Sequence, residues 1–218
     1  MGRIETICSY LPPTDVFADV GCDHGYCTKY MLDRNLCRLA YISDISAESL
    51  KKAQTLLRKE IETGRCVPVV ADGLQGIGKC DCVLIAGMGG EEIVHILKDG
   101  YLPEKFVLQP MKNAEKVRAF LVERGCRITA DLTFGDGKFY DLIAGENRGG
   151  DGYSERELRY GRDNLRTPSA AFLNKIAQEA EKLRLRLKNP NLSEKSRSAM
   201  QEKLKESEVL LREVSSNI

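Results

Sequence analysis

The chain carries the run Ala18-Asp19-Val20-Gly21-Cys22-Asp23-His24-Gly25-Tyr26, in which a short apolar stretch ends at a glycine-containing turn. Glycines at the end of a strand let the backbone turn tightly and approach a ligand closely. A dinucleotide-binding turn reads Gly-x-Gly-x-x-Gly, but here Asp23 takes the middle glycine's place. A carboxylate there repels a pyrophosphate. It accepts hydrogen bonds from a ligand that carries positive charge and an amino group. S-adenosylmethionine, a sulfonium with an amino-acid tail and no phosphate, is such a ligand. Asp44, with Ile45 beside it, lies roughly twenty residues past the glycines, where a ribose-binding carboxylate is expected. Asp72 and Gly73 end a third apolar run and are placed to contact the adenine. The plain alternative is that Asp19 and Asp44 cap helices and that Gly21 and Gly25 only turn the chain. Asp19 could also serve as a hydrogen-bonding support for the loop.

A fourth apolar run ends in Ile85-Ala86-Gly87-Met88-Gly89-Gly90. Enzymes that methylate exocyclic amines often carry Asn/Asp-Pro-Pro-Tyr/Phe at this place, and this chain does not. Its glycines instead offer exposed N–H groups and room for a flat base. Ala86, Gly87, Met88 and Gly89 therefore join Asp19, Gly21, Asp23, Gly25, Asp44, Ile45, Asp72 and Gly73 as candidate cofactor residues. Gly90 could equally be a helix start packed against the sheet.

The elements that position these groups follow from periodicity. Apolar runs at 16–20, 39–44, 66–71, 81–86 and 105–109 read as strands, each followed by a turn or an amphipathic stretch. Helices are predicted at 26–36, 46–63, 91–98 and 114–124, the second with Leu50, Ala53, Leu57 and Ile61 on one face and Ser46 at its start. Runs 126–134 and 138–144 around Gly135-Asp136-Gly137 read as a β-hairpin. The expectation is an α/β fold: a doubly wound, mostly parallel seven-stranded sheet with an antiparallel edge. After the joint at 147–152 the pattern changes. Thr167 and Pro168 suggest a helix start, and Leu173, Ile176, Ala180, Leu183 and Leu187 follow a coiled-coil spacing. Asn189-Pro190-Asn191 turns the chain. Met200, Leu204, Ser207, Leu211, Val214 and Ile218 then continue the seam, with Ser207 as a polar interruption. Two domains are expected, at 1–150 and 151–218, the second an antiparallel helical hairpin.

Composition sets the limits. The 218 residues are 42% hydrophobic and 30% charged, a globular balance, with a net charge of +1 that excludes a globally basic coat. The apolar runs are too short to span a bilayer. No export signature is seen, so a cytoplasmic location is expected. The eight cysteines all fall at or before Cys126 and read as reduced, core-filling thiols. No Cys-x-x-Cys pair is present and the only histidines are His24 and His95, so no metal is expected.

Asp19-Val20-Gly21-Cys22-Asp23-His24-Gly25-Tyr26, Ile85-Ala86-Gly87-Met88-Gly89-Gly90, Leu108-Gln109-Pro110-Met111 and Gly137-Lys138-Phe139-Tyr140-Asp141-Leu142-Ile143 occur in the order and spacing of one family. Together they resemble the bacterial TrmK family, the tRNA adenine-22 N1-methyltransferases, over nearly the whole chain. Members commonly read Gly-Ser-Asp-His-Ala-Tyr where this chain has Gly21 to Tyr26, and Leu-Pro where it has Cys27-Thr28. The resemblance implies a class I, Rossmann-like enzyme that uses S-adenosyl-L-methionine to methylate N1 of adenine 22 in the D-arm of tRNA. Asp23, His24 and Tyr26 are then the catalytic candidates. Asp23 would accept from the 6-amino group or bind the cofactor. His24 and Tyr26 would stack on or hydrogen-bond the base, and a structural hydrogen bond within the loop is the alternative for His24.

Residues 151–218 hold 14 Lys+Arg against 11 Asp+Glu, a mild excess over the first part. Candidate RNA contacts are Lys112, Lys116 and Arg118 after the fifth strand, and Arg159, Arg162 and Arg166 at three- and four-residue spacing with Arg156. Lys182 and Arg186 on the hairpin complete the set. The alternatives are solvated helix faces and, for the hairpin, a stabilising or dimerising element. A monomer is the expected state. Competing activities are methylation of another acceptor (other RNA, protein or small molecule) and RNA binding without catalysis.

Overall fold

Phe17 to Val20 and Cys82 to Ile85 are buried residue after residue, as strands at the centre of a covered parallel sheet must be. The computed structural model describes residues 1–215. Its elements are α1 (Arg3–Ser9), β1 (Val16–Val20), α2 (Tyr26–Asp33), β2 (Leu39–Asp44), α3 (Ala47–Leu56), α4 (Arg58–Glu62), β3 (Cys66–Val70), β4 (Cys82–Met88), α5 (Gly90–Asp99), β5 (Lys105–Pro110) and α6 (Ala114–Glu123). They continue as β6 (Cys126–Asp136), β7 (Lys138–Gly149), α7 (Glu155–Tyr160), α8 (Arg162–Arg166), α9 (Ala170–Leu187) and α10 (Glu194–Ser215).

The seven strands are ordered β3-β2-β1-β4-β5-β7-β6. β1 to β5 pair in parallel, and β7 joins β5 antiparallel as half of the expected hairpin. Successive residues alternate between two apolar layers: Phe17, Leu84 and Val107 point to one, Ala18, Ile85 and Leu108 to the other. The order reverses between β1 and β4. A crevice therefore opens there at the carboxyl ends of the strands, where open α/β sheets bind ligands. Pro68 sits in β3, the edge strand, where a missing ladder donor is tolerated.

Several boundaries differ from expectation. The helix predicted at 46–63 is interrupted at Leu57 into α3 and α4, although Ser46 caps it by accepting from the Ser49 N–H at 3.3 Å. α2 stops at Asp33 because Asn35 takes a left-handed φ of 53°. Ser169, not Thr167, caps α9: its Oγ accepts from Phe172 N at 3.1 Å and donates to Thr133 O at 3.0 Å. α1 escaped the sequence reading altogether. On the helical hairpin the buried seam is Phe172, Ile176 and Ala180 against Ser207 and Leu210, so Leu210 takes the place expected of Leu211. Ser207 is accommodated because its hydroxyl donates to Lys203 O at 3.0 Å. The expected positions Val214 and Ile218 lie outside the residues whose side chains are described.

A polar joint docks this hairpin on the sheet. Arg118 Nε meets both oxygens of Asp131 at 2.8 and 3.0 Å, and both side chains are buried. Asp131 Oδ2 also accepts from Arg162 N at 3.1 Å. Asn164 Oδ1 accepts from Thr133 N, and Lys175 pairs with Asp141 at 2.7 Å.

Candidate cofactor and RNA site

The glycine turn leaves β1 at the sheet's switch point. Gly21 and Gly25 hold φ of 75° and 77°, a region that side chains strain to enter. Space makes the same demand: a Cβ on Gly21 would fall 2.1 Å from Met88 Cε, so the β1 and β4 loops touch across the crevice. Gly87, at φ 87°, carries the register shift between Ala86 and Met88 that kinks the end of β4. Gly89 caps α5, and Gly90 packs against the β5–α6 loop, donating its N–H to Lys112 O at 2.8 Å.

The acids of this region differ in environment. Asp19 is buried beneath the turn and accepts from Thr28 Oγ1 at 2.9 Å, tying β1 to α2. Burial pushes its carboxyl up, while the Thr28 and Cys22 hydrogen bonds pull it down. Asp23 is half-buried on the turn. One oxygen accepts from Lys52 Nζ at 2.8 Å and the other lies 3.1 Å from His24 Nε2. The Lys52 hydrogen bond holds its carboxyl below the ordinary value of 3.8, with His24 adding to the effect. Asp44 Oδ1 accepts from Ser46 N at 2.8 Å, and Oδ2 has no partner among the described residues. Ile45 beside it is 73% exposed, an apolar face beside the acid. Asp72 is exposed, and Gly73 O accepts from Ser43 Oγ at 3.2 Å, closing the β2–β3 side of the crevice. His24 and Tyr26 stack at 5.5 Å with planes 10° apart and stand exposed at its rim.

From the end of β5 a groove of about 830 Å³ runs toward the helical hairpin, with Met111, Lys112, Phe139, Tyr160, Lys175 and Glu179 among its walls. Lys112 is exposed, and its Cε lies 3.1 Å from where a Cβ on Gly89 would stand, so it overhangs the β4 loop. Lys182 and Arg186 are exposed on α9 and Arg166 on α8. Lys116 is exposed and paired with Glu91. Two expected RNA contacts are corrected. Arg118 is 1% exposed and consumed by Asp131, so it braces the joint instead of meeting RNA. Arg162 is 8% exposed, held by Asp151 and Glu157 and stacked over Tyr153 at 4.0 Å. Arg159 is partly exposed and paired with Glu206 of α10. The expected stripe is therefore not continuous, since Gly161, with φ 88°, separates α7 from α8.

The sequence reading also missed residues that complete the site. Lys52 on α3 reaches back to Asp23. Arg3 on α1 donates to Gln109 on β5 across 106 positions, a contact no local pattern reveals.

The parallel sheet, the glycine turn at its switch point and the acid that ends β2 define a class I methyltransferase domain, and residues 1–143 match the methyltransferase domain family. Asp44's open oxygen, Ile45's exposed face and the two glycines that bound the turn fit an adenosine bearing an amino-acid tail. Within that class the chain belongs to the tRNA (adenine(22)-N(1))-methyltransferases, the TrmK family. It is 30% identical to the Bacillus subtilis (strain 168) enzyme of that name over 191 residues, which span 82% of this chain and 80% of that one. The crystal structure of the B. subtilis m1A22 tRNA methyltransferase TrmK superposes with a TM-score of 0.80 at 28% identity, covering 97% of both chains. A Streptococcus pneumoniae protein solved in complex with S-adenosyl-L-methionine gives 0.86 at 25% identity, covering 96% of this chain and 98% of that one.

Proposed function

We propose that this chain methylates N1 of adenine 22 in the D-arm of tRNA, with S-adenosyl-L-methionine as methyl donor. The observation that carries this is the meeting of the glycine turn, Asp44 and the Gly87–Gly90 loop at one crevice, in a chain that matches a named adenine-22 enzyme over most of its length. When bound, the cofactor supplies an electrophilic methyl group on a sulfonium.

The chain's residues have a limited task. Adenine N1 presents its lone pair in the plane of the ring, so no group must first remove a proton. Catalysis comes from holding N1 in line with the methyl. Asp44 takes the ribose hydroxyls through its open oxygen, Ile45 packs on the adenine, and Asp72 and Gly73 close that end. Gly21, Gly25 and the Ala86–Gly89 backbone leave room for the amino-acid tail. Asp23 accepts from its ammonium. This assignment is favoured over a contact with the target base because Asp23 is drawn toward Lys52, on the β2 side. Asp19 steadies the turn from below. The exposed His24–Tyr26 pair is a stacking platform for a base that has left its helix, an extrusion costing a few kcal/mol. Lys112 and Lys116, Arg166 on α8, and Lys182 and Arg186 on the hairpin neutralise phosphates. The helical part, 151–218, is thus an RNA arm on a catalytic part, 1–150. The chain acts as a monomer, and the same reading carries a cytoplasmic location.

Incubation of an unmodified tRNA transcript with enzyme and cofactor, then digestion to nucleosides, should yield 1-methyladenosine by mass spectrometry. Asp44→Ala should weaken cofactor binding at least about tenfold, the scale of a lost charge-assisted hydrogen bond. N6-methyladenosine as product would overturn the N1 assignment. No methylated nucleoside despite cofactor binding would move the reading to another acceptor.

A further inference from the structure

Arg3 does not behave like a surface arginine. Its backbone N–H is pinned by Asp136 Oδ2 at 2.7 Å, from the turn between β6 and β7. Its Nε donates to Gln109 Oε1 at 2.8 Å, and Gln109 is wholly buried at the end of β5. Gln109 is itself fixed, because its Nε2 donates to Pro110 O at 3.2 Å. The guanidinium lies 5.4 Å from the Tyr140 ring centroid. One of its Nη atoms stands 3.0 Å from where a Cβ on Gly87 would be, so the guanidinium lies close against the kinked end of β4. Five elements, α1, β4, β5, β6 and β7, thus converge to aim one guanidinium at the end of the sheet where methyl transfer occurs.

That charge is unmatched. Arg3 is partly buried, and among the described residues no Asp or Glu pairs with its guanidinium. Gln109 is a neutral acceptor that occupies only the Nε edge. Guanidinium is permanently protonated and accepts no hydrogen bond, so it can neither take a proton nor favour positive charge growing on the methylated base. Its planar fork suits an oxyanion, which it can grip through two parallel hydrogen bonds.

We infer that Arg3, oriented by Gln109 and Asp136, is an oxyanion-binding residue of the methyl-transfer site. Two oxyanions can enter this crevice under the proposed function, on which the inference rests: the carboxylate of the cofactor's amino-acid tail and the phosphodiester of the target nucleotide. Arg3 is a binding residue for one of them.

Arg3→Met keeps most of the stem and removes the charge. Gln109→Glu keeps Arg3 but places a carboxylate on it, so the ligand's oxyanion must compete. Both are measured beside the wild type, with thermal midpoints to confirm folding. One arm is calorimetry with S-adenosylhomocysteine and with its decarboxylated analogue. The other is KM for a tRNA transcript at saturating cofactor. If Arg3 holds the carboxylate, both variants bind S-adenosylhomocysteine at least tenfold more weakly, and the wild-type preference over the decarboxylated analogue collapses. If it holds the phosphodiester, cofactor binding is unchanged and KM for tRNA rises at least fivefold in both. Should Arg3→Met fail to fold, Gln109→Glu alone reads the same two arms. Wild-type values for cofactor affinity and tRNA KM in the folded variant would overturn the inference. Wild-type methyl incorporation in the same assay reports separately on the proposed function.

Discussion

Asp19 and Asp23 lie four positions apart on one loop in opposite surroundings. Asp19 is buried on Thr28, and burial raises its carboxyl. Asp23 is half-buried, and the Lys52 hydrogen bond, with His24 adding to it, holds its carboxyl below the ordinary 3.8. A group with a lowered pKa makes its contribution fully above the unfolded value and loses it only as pH falls through the lowered one. Asp23 therefore stays a carboxylate throughout the working range. It is a poor proton acceptor and a good hydrogen-bond acceptor, which suits a reaction that needs no base. Between about pH 5 and 8, the kcat/KM profile should show no acid limb that Asp23→Asn removes. Such a limb, present in the wild type and absent in the variant, would make Asp23 a general base. At this scale the sequence was informative where a residue type is itself the signal. Asp23 in the middle glycine's place and Asp44 after the second strand both stand at the crevice. Arg118 and Arg162 misled because spacing marks them as surface groups. Their burial depends on Asp131, Asp151 and Glu157, which the fold brings to them.

The loops after β4 and β5 meet at a single point, and its geometry makes a sharp demand. A Cβ on Gly90 would lie 2.2 Å from Asn113 O, a backbone atom with no room to move. Asn113 itself holds a left-handed φ of 57° at the start of α6. Gly90→Ala should therefore lower stability by about 1–3 kcal/mol, the usual scale of overpacking. The matched control is Gly78→Ala, where a Cβ meets nothing within 4 Å and φ is not left-handed. That change should be neutral or slightly stabilising. Equal thermal midpoints for the two variants would contradict the role given to this contact. Gly90 is thus a helix start, packed against the β5–α6 loop. Strand positions were legible because each strand is a dense apolar run between turn residues. α1 was not, since seven residues with no marked period resemble any loop. The break at Leu57 was invisible because its apolar face runs unbroken through the fully buried Leu57.

Across the whole molecule, the catalytic sheet and the helical hairpin are joined by buried polar contacts more than by a shared apolar core. Phe172, Ile176 and Leu210 form a small cluster of their own, while Arg118, Asp131, Asn164 and Lys175 make the crossing. Arg118→Met would leave Asp131 buried without its counter-charge and should cost about 3–5 kcal/mol. Hydrogen exchange would quicken first in α8 and at the start of α9. A loss within about 0.5 kcal/mol, the range of ordinary surface changes, would show the joint to be incidental. The change of pattern after residue 150 announced a second part, but nothing local announced how it docks, because its partners lie up to 41 positions away. The groove between the two parts runs from the loop after β5 to Lys175 and Glu179 on α9 and Lys203 on α10, with the exposed Lys182 further along α9. The central claim, methyl transfer to one base of tRNA, is tested most directly with labelled S-adenosyl-L-methionine and two tRNA transcripts that differ only at position 22. Label should enter the transcript with adenine there and not the one with guanine. Equal incorporation into both, or into neither while the cofactor binds, would contradict the account.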